Sequence, residues 1–146
     1  MITTDQDKLD FKTIHHFLTT ETYWAQDRSL ETVERSFKNS LAFVIYQDDK
    51  TVGWARIVTD YATFAWLADV FIRQEYRRRS LSKWLMEIII AHPSLQNLRR
   101  FLLSTLDAHE LYAQFGFKPV HHPELWMERT APGAYANFGF EEKNEF

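Results

Sequence analysis

The stretch DVFIRQEYRRRSLSKWLME, Asp69 to Glu87, is the part of the chain from which the fold can be read. Val70-Phe71-Ile72 is an apolar run with the character of a buried strand. Arg77-Arg78-Arg79 is a basic turn, and Ser80-Leu81-Ser82 then opens a helix. Its spacing puts Leu81, Trp84, Leu85 and Ile88 on one face. A strand that feeds a basic loop at a helix N-terminus is a natural anion site. The first-turn N–H groups have no helical partner there, and the positive end of the helix dipole points outward. Arg73, Arg77, Arg78, Arg79 and Lys83 place five positive charges in eleven positions, against Glu75. This density predicts a grip for a phosphate or pyrophosphate.

Upstream, Asp10 to Leu18 reads as a helix with Phe11, Ile14 and Leu18 on one face. Ser29 to Ser40 reads as a second, N-capped by Ser29, with Leu30, Val33 and Phe37 at three- and four-residue spacing. Leu41 to Tyr46 is an apolar strand, residues 47–50 a hairpin turn, Thr51 to Thr59 the returning strand and Phe64 to Ile72 a third. The helix Ser82 to Ala91 stops at His92-Pro93. Downstream come a strand at Phe101 to Ser104 and a short helix at Asp107 to Phe115, capped by Asp107 and stopped at Gly116. Strands near Phe117 to Val120 and Leu125 to Glu128 complete the pattern. This order predicts one α/β domain with a mixed sheet over residues 1–146, ending in a frayed tail at 141–146.

Composition narrows the function classes. A chain of 146 residues with 45% hydrophobic content can bury a sizeable core as one domain. The net charge of −3 gives no global attraction to nucleic acid or to an anionic membrane. No apolar run approaches the roughly 20 residues of a membrane span. The opening MITTDQDKLDF is polar and acidic, unlike a signal peptide, so a cytoplasmic location is expected. There is no cysteine, which removes disulfides, thiolate ligands and a cysteine nucleophile. His15-His16 and His121-His122 are adjacent pairs whose side chains diverge, so no metal site is expected from them.

Two segments carry a resemblance. The strand followed by Arg77-x-x-Ser80-x-Ser82 and a helix resembles the acetyl-CoA signature of the GNAT (Gcn5-related) N-acetyltransferases, whose pattern is Q/R-x-x-G-x-G/A. Residues 108–117, AHELYAQFGF, resemble that family's second signature, A-x-x-L-Y-x-x-x-G-F. The resemblance covers nearly the whole chain and includes a compact bacterial subgroup of unassigned substrate. It implies a central, mostly antiparallel sheet of six to seven strands, splayed in the middle and flanked by about four helices. It also implies transfer of the acetyl group of acetyl-CoA to a primary amine of a small molecule or peptide. This sequence departs from the pattern where Ser80 and Ser82 replace glycines and where Thr105 replaces the usual asparagine.

The resemblance implies roles for individual residues. Arg77, Arg78, Arg79, Ser80, Leu81, Ser82 and Lys83 would hold the pyrophosphate, and the backbone of Val70, Phe71 and Ile72 the pantetheine arm. Thr105 would sit on the cofactor side. Tyr112 matches the tyrosine that protonates the departing thiolate; the plainer reading is that its ring packs on the sheet. Many relatives carry a glutamate base where Ala68 stands, which leaves Asp69 as a base acting through water or as a brace for the loop arginines. Trp24, Asp60 and Tyr61 are candidates for the acceptor side. The serines and the missing glutamate also allow a non-catalytic acyl-CoA-binding domain. An edge strand near the C-terminus would offer a surface for a homodimer.

Overall fold

The computed structural model describes residues 1–140. The acidic tail expected to fray lies outside them. One five-stranded sheet runs in the order β1 (Ile2–Thr3), β2 (Leu41–Gln47), β3 (Lys50–Thr59), β4 (Phe64–Ile72) and β5 (Arg100–Leu103). The first three pairings are antiparallel, and β4 with β5 is parallel. Four helices flank the sheet: α1 (Phe11–Glu21), α2 (Leu30–Lys38), α3 (Leu81–Ala91) and α4 (His109–Ala113).

Each face of the sheet buries its own core. On one side α1 and α2 bring Ile14, Leu18, Val33 and Phe37 onto Ala42, Trp54 and Phe71. On the other, α3 brings Leu85, Met86 and Ile89 onto Phe43, Ile45, Ala55, Ile57, Ala65 and Leu67, and Tyr112 joins this cluster. Local signals set the helix starts. Asp10 accepts the Thr13 N–H at 3.1 Å, and Ser29 accepts the Thr32 N–H at 3.1 Å. Gly116, at φ +87°, ends the turn after α4 as expected.

Three expectations are corrected. The strands near Phe117 to Val120 and Leu125 to Glu128 do not form among the described residues, so the sheet has five strands rather than six or seven. Pro119 removes a ladder donor from the first segment, where Phe117 packs on the core but Val120 is exposed, and Leu125 and Met127 leave the second without a buried face. The edge strand expected near the C-terminus is therefore not formed among the described residues. Second, α3 turns Leu85, Met86 and Ile89 to the core and leaves Trp84 and Ile88 exposed. That helix is apolar nearly all round, so periodicity alone does not choose the stripe. Third, β1 was not foreseen; it adds two residues beside Val44 and Ile45.

Close approach between β3 and β4 requires glycine at position 53. A Cβ there would lie 2.6 Å from Ile72 Cδ1 and 2.9 Å from the Phe71 carbonyl oxygen. The second neighbour is backbone and cannot step aside. Gly53→Ala is therefore expected to destabilise the fold by about 1–3 kcal/mol, read as a lower urea midpoint. A midpoint equal to that of the native chain would contradict this packing.

Candidate active site

Strand β4 changes face midway, and this shapes the site. Its register against β3 slips between Trp54 and Arg56, opposite Asp69 and Val70. Asp69 takes φ +54°, an unusual value for a side-chain-bearing residue in a strand, and forms a bulge. Before the bulge, Ala65 and Leu67 face α3. After it, Phe71 faces α1 and α2, while Ile72 faces α3. The bulge turns the Asp69 carboxylate toward the α1–α2 connection.

That carboxylate is buried, 5% exposed, and fully engaged. Arg28 Nη1 donates to its two oxygens at 2.7 and 2.8 Å, Arg56 Nε donates at 2.8 Å, and Trp24 Nε1 donates at 3.0 Å. Burial pushes the Asp69 carboxyl up, but the adjacent charges of Arg28 and Arg56 and their hydrogen bonds outweigh it, and its pKa is lowered. His15 steadies the arrangement, with its Nε2 donating to the Arg28 carbonyl at 2.9 Å.

Parallel pairing between β4 and β5 ends at Leu67 and Leu103. β4 runs on to Ile72 with its β5 side unpaired among the described residues, and the chain after Leu103 turns away into α4. A cavity of about 500 Å³ opens along this divergence. Its walls are Leu67 to Val70 of β4, Leu103 to Ala108 after β5, and Tyr112 of α4. Tyr23, Trp24, Arg28, Arg56 and Trp66 line it from the α1–α2 side, and Tyr135, Phe138 and Phe140 of the C-terminal segment close it. Desolvation pushes the Tyr112 hydroxyl up to about 12, with smaller contributions from Tyr23 and Asp107. Thr105 Oγ1 accepts the Ala108 N–H at 3.1 Å and so shapes the turn into α4, where Asp107 was expected to cap.

The basic loop lies outside this cavity and meets it through Val70. Ile72 closes the strand, and its carbonyl accepts from Arg77 Nε at 2.8 Å. Arg73 is likewise tied to the protein, to the Thr51 carbonyl and Glu75. Arg78, Arg79 and Lys83 are exposed. The first bond of α3 runs from Trp84 N–H to the Ser80 carbonyl at 3.0 Å, which leaves the N–H groups of Leu81, Ser82 and Lys83 outside the helical ladder. The two serines behave differently. Ser80 takes the left-handed conformation, φ +57°, ψ 23°, with no side-chain cap bond, whereas Ser82 is helical. Arg78 is also left-handed, at φ +63°. Ser80→Gly is expected to raise stability by up to about 1 kcal/mol, seen as a higher melting temperature; a lower one would mean that the serine is not strained.

Trp24, Asp69, Val70, Thr105 and Tyr112 thus meet at one cavity, while Phe71 and Ile72 are core residues that offer backbone only. Asp60 and Tyr61 sit elsewhere, in the β3–β4 turn. Asp60 accepts from the N–H groups of Ala62, Thr63 and Phe64 and from the Thr63 hydroxyl, which hold its carboxyl far below the usual range. It shapes the turn, and neither residue lines the cavity. Arg28, Arg56, Trp66, Tyr135, Phe138 and Phe140 escaped sequence reasoning. The one usable signal was a lone acid inside an apolar strand, which must find buried cations.

Comparison with known proteins agrees with this architecture. Residues 11–117 match the model of the acetyltransferase (GNAT) family. A crystal structure from Xanthomonas campestris pv. campestris, described as "a putative acetyltransferase belonging to the gnat family", superposes with a TM-score of 0.89 at 48% identity. The match covers 93% of this chain and 96% of that one. A Gibberella zeae protein named "putative acetyltransferase" is 25% identical over 136 residues, 78% of this chain and 76% of its own. A Clostridium acetobutylicum structure solved with acetyl-CoA shares the fold at a TM-score of 0.66 and 12% identity, over 89% of this chain and 96% of that one. On the family match and the Xanthomonas relative together, this chain belongs to the GNAT acetyltransferase family.

Proposed function

We propose that the chain is a single-domain N-acetyltransferase that moves the acetyl group of acetyl-CoA to a primary amine of a small molecule or peptide, by direct attack with both substrates bound. The observation that carries this reading is the convergence on one cavity of unpaired β4 backbone, the turn after β5 and Tyr112.

The residues present fit the cofactor. The free N–H groups at the start of α3, with Arg78, Arg79 and Lys83 beside them, suit a pyrophosphate. Phe71 pairs with Trp54 on the β3 side. By alternation the polar groups of Val70 and Ile72 face the open side, where the amide arm can add like a strand. Arg77 takes one lone pair of the Ile72 carbonyl and leaves the second. Bound there, acetyl-CoA supplies a reactive thioester carbonyl and a thiol leaving group.

Tyr112 holds a proton at its hydroxyl throughout the neutral range, because burial keeps its pKa near 12. It is therefore available as a donor at the cavity end where a thiolate would leave. Asp69 acts as a positioning residue: a carboxylate held by two guanidinium groups and an indole accepts a further proton poorly. The amine's proton passes to water entering the cavity.

The test is release of free thiol from acetyl-CoA over a panel of amines, with the products weighed by mass spectrometry. Amine-dependent thiol release matched by acetylated amine is expected. Cofactor binding with no thiol release on any amine would leave an acyl-CoA-binding domain and remove this reading.

A further inference from the structure

The clamp on Asp69 does not use all the donors of its two arginines. Arg28 reaches the carboxylate through Nη1 alone, and Arg56 through Nε, with Nη1 at 3.4 Å from Ser40 Oγ. Each guanidinium carries five N–H donors. Both side chains line the cavity, and that of Arg28 is 28% exposed. Among the described residues one carboxylate faces two cations, which leaves a surplus positive charge and guanidinium N–H donors without a described partner, in fork geometry.

A different group lines the same cavity away from the clamp's own contacts: Asp107 and Tyr112, with Tyr23 accepting the Leu106 N–H at 3.0 Å. Tyr23 packs edge to face on Trp24 at 4.9 Å, and Trp24 donates to Asp69, so these two rings link Leu106 to the clamp. Trp66, Phe138 and Phe140 add to an aromatic surround. The lining thus combines two guanidinium groups, the separate carboxylate of Asp107 and an aromatic surface.

We propose that the acceptor is an amine that also bears a carboxylate on an aromatic or apolar body, an amino-acid-like zwitterion. Its carboxylate takes the free donors of Arg28 and Arg56. Its ammonium group approaches beside Asp107, and the body packs against Trp24 and its aromatic neighbours. This rests on reading the cavity as the acceptor site of an acetyltransferase. The cavity volume lies within the range of small-molecule sites.

Two matched pairs test it: phenylalanine against phenethylamine, and leucine against isoamylamine. Binding is followed by tryptophan fluorescence with CoA present, and acetylation by thiol release. The carboxylated member of each pair is expected to bind and react about tenfold better or more. In Arg28→Gln that preference is expected to fall to near unity, with CoA affinity unchanged; Arg28→Lys, which keeps the charge and protects the fold, is expected to retain part of it. Equal binding within each pair, no binding of either member, or a preference unchanged in Arg28→Gln would overturn the proposal and make the arginines a purely structural clamp. Carboxylate-selective binding that Arg28→Gln abolishes, with no thiol release on these pairs or on any amine of the panel, would support the carboxylate site while removing the acetyltransferase reading. Thiol release without selectivity would do the reverse.

Discussion

Tyr112→Phe is expected to lower turnover by at least about tenfold while the KM for acetyl-CoA barely moves. The substitution removes only the hydroxyl. The ring keeps its place in the α3-side core and its edge contact with Phe117, centroids 6.1 Å apart. The basic loop before α3 is on another element and is untouched. A fold defect would instead lower stability and cofactor affinity together. The pH profile carries the same argument. A donor with a pKa near 12 stays protonated, so Tyr112 should add no falling limb to kcat up to about pH 10. Turnover within a factor of about two of the native chain would take Tyr112 out of the chemistry and leave it a packing residue.

Asp69→Asn is expected to cost about 3 kcal/mol of stability, the lower end of the range for breaking a buried ion pair, because Arg28 is partly solvated. The amide cannot balance Arg28 and Arg56, and both lose their strongest acceptor. The sign of the pH effect follows from the lowered pKa. The clamp contributes in full above the unfolded carboxyl value of about 3.9 and is lost as pH falls through the lower folded value. The stability gap between native and Asp69→Asn chains should therefore be widest near neutrality and narrow in acid. Urea unfolding at about pH 7 and about pH 3 measures it. A variant as stable as the native chain but without turnover would restore Asp69 as the base.

Much of the scaffold was legible because its signals are local. β4 runs from Phe64 to Ile72 as its apolar run indicates, and α2 begins after Ser29 because a serine there completes the first turn. The β2–β3 hairpin follows from the polar residues 47–50. The cavity was legible in its β4 and α4 walls, in Thr105 after β5 and in Trp24. Asp69 was read as a base or a brace for the loop arginines, but it braces Arg28 and Arg56 instead, because a positive φ in mid-strand turns it the other way, and that follows from long-range packing without a sequence mark. Arg28 and Arg56 lie 41 and 13 residues from their shared acid. Likewise, Tyr135, Phe138 and Phe140 reach the cavity from a segment without regular secondary structure. The serines gave half an answer. Ser82 fits a helix as any residue would, and Ser80 occupies the left-handed position that favours glycine.

A crystal structure with coenzyme A bound is expected to show the cofactor along the open side of β4 with its thiol end at Tyr112: the pyrophosphate at the N–H groups of Leu81 to Lys83, the amide arm paired with Val70 and Ile72, and the sulfur within hydrogen-bonding reach of the Tyr112 hydroxyl. A cofactor bound elsewhere, or a sulfur pointing away from the cavity walled by Leu103 to Ala108, would contradict this placement.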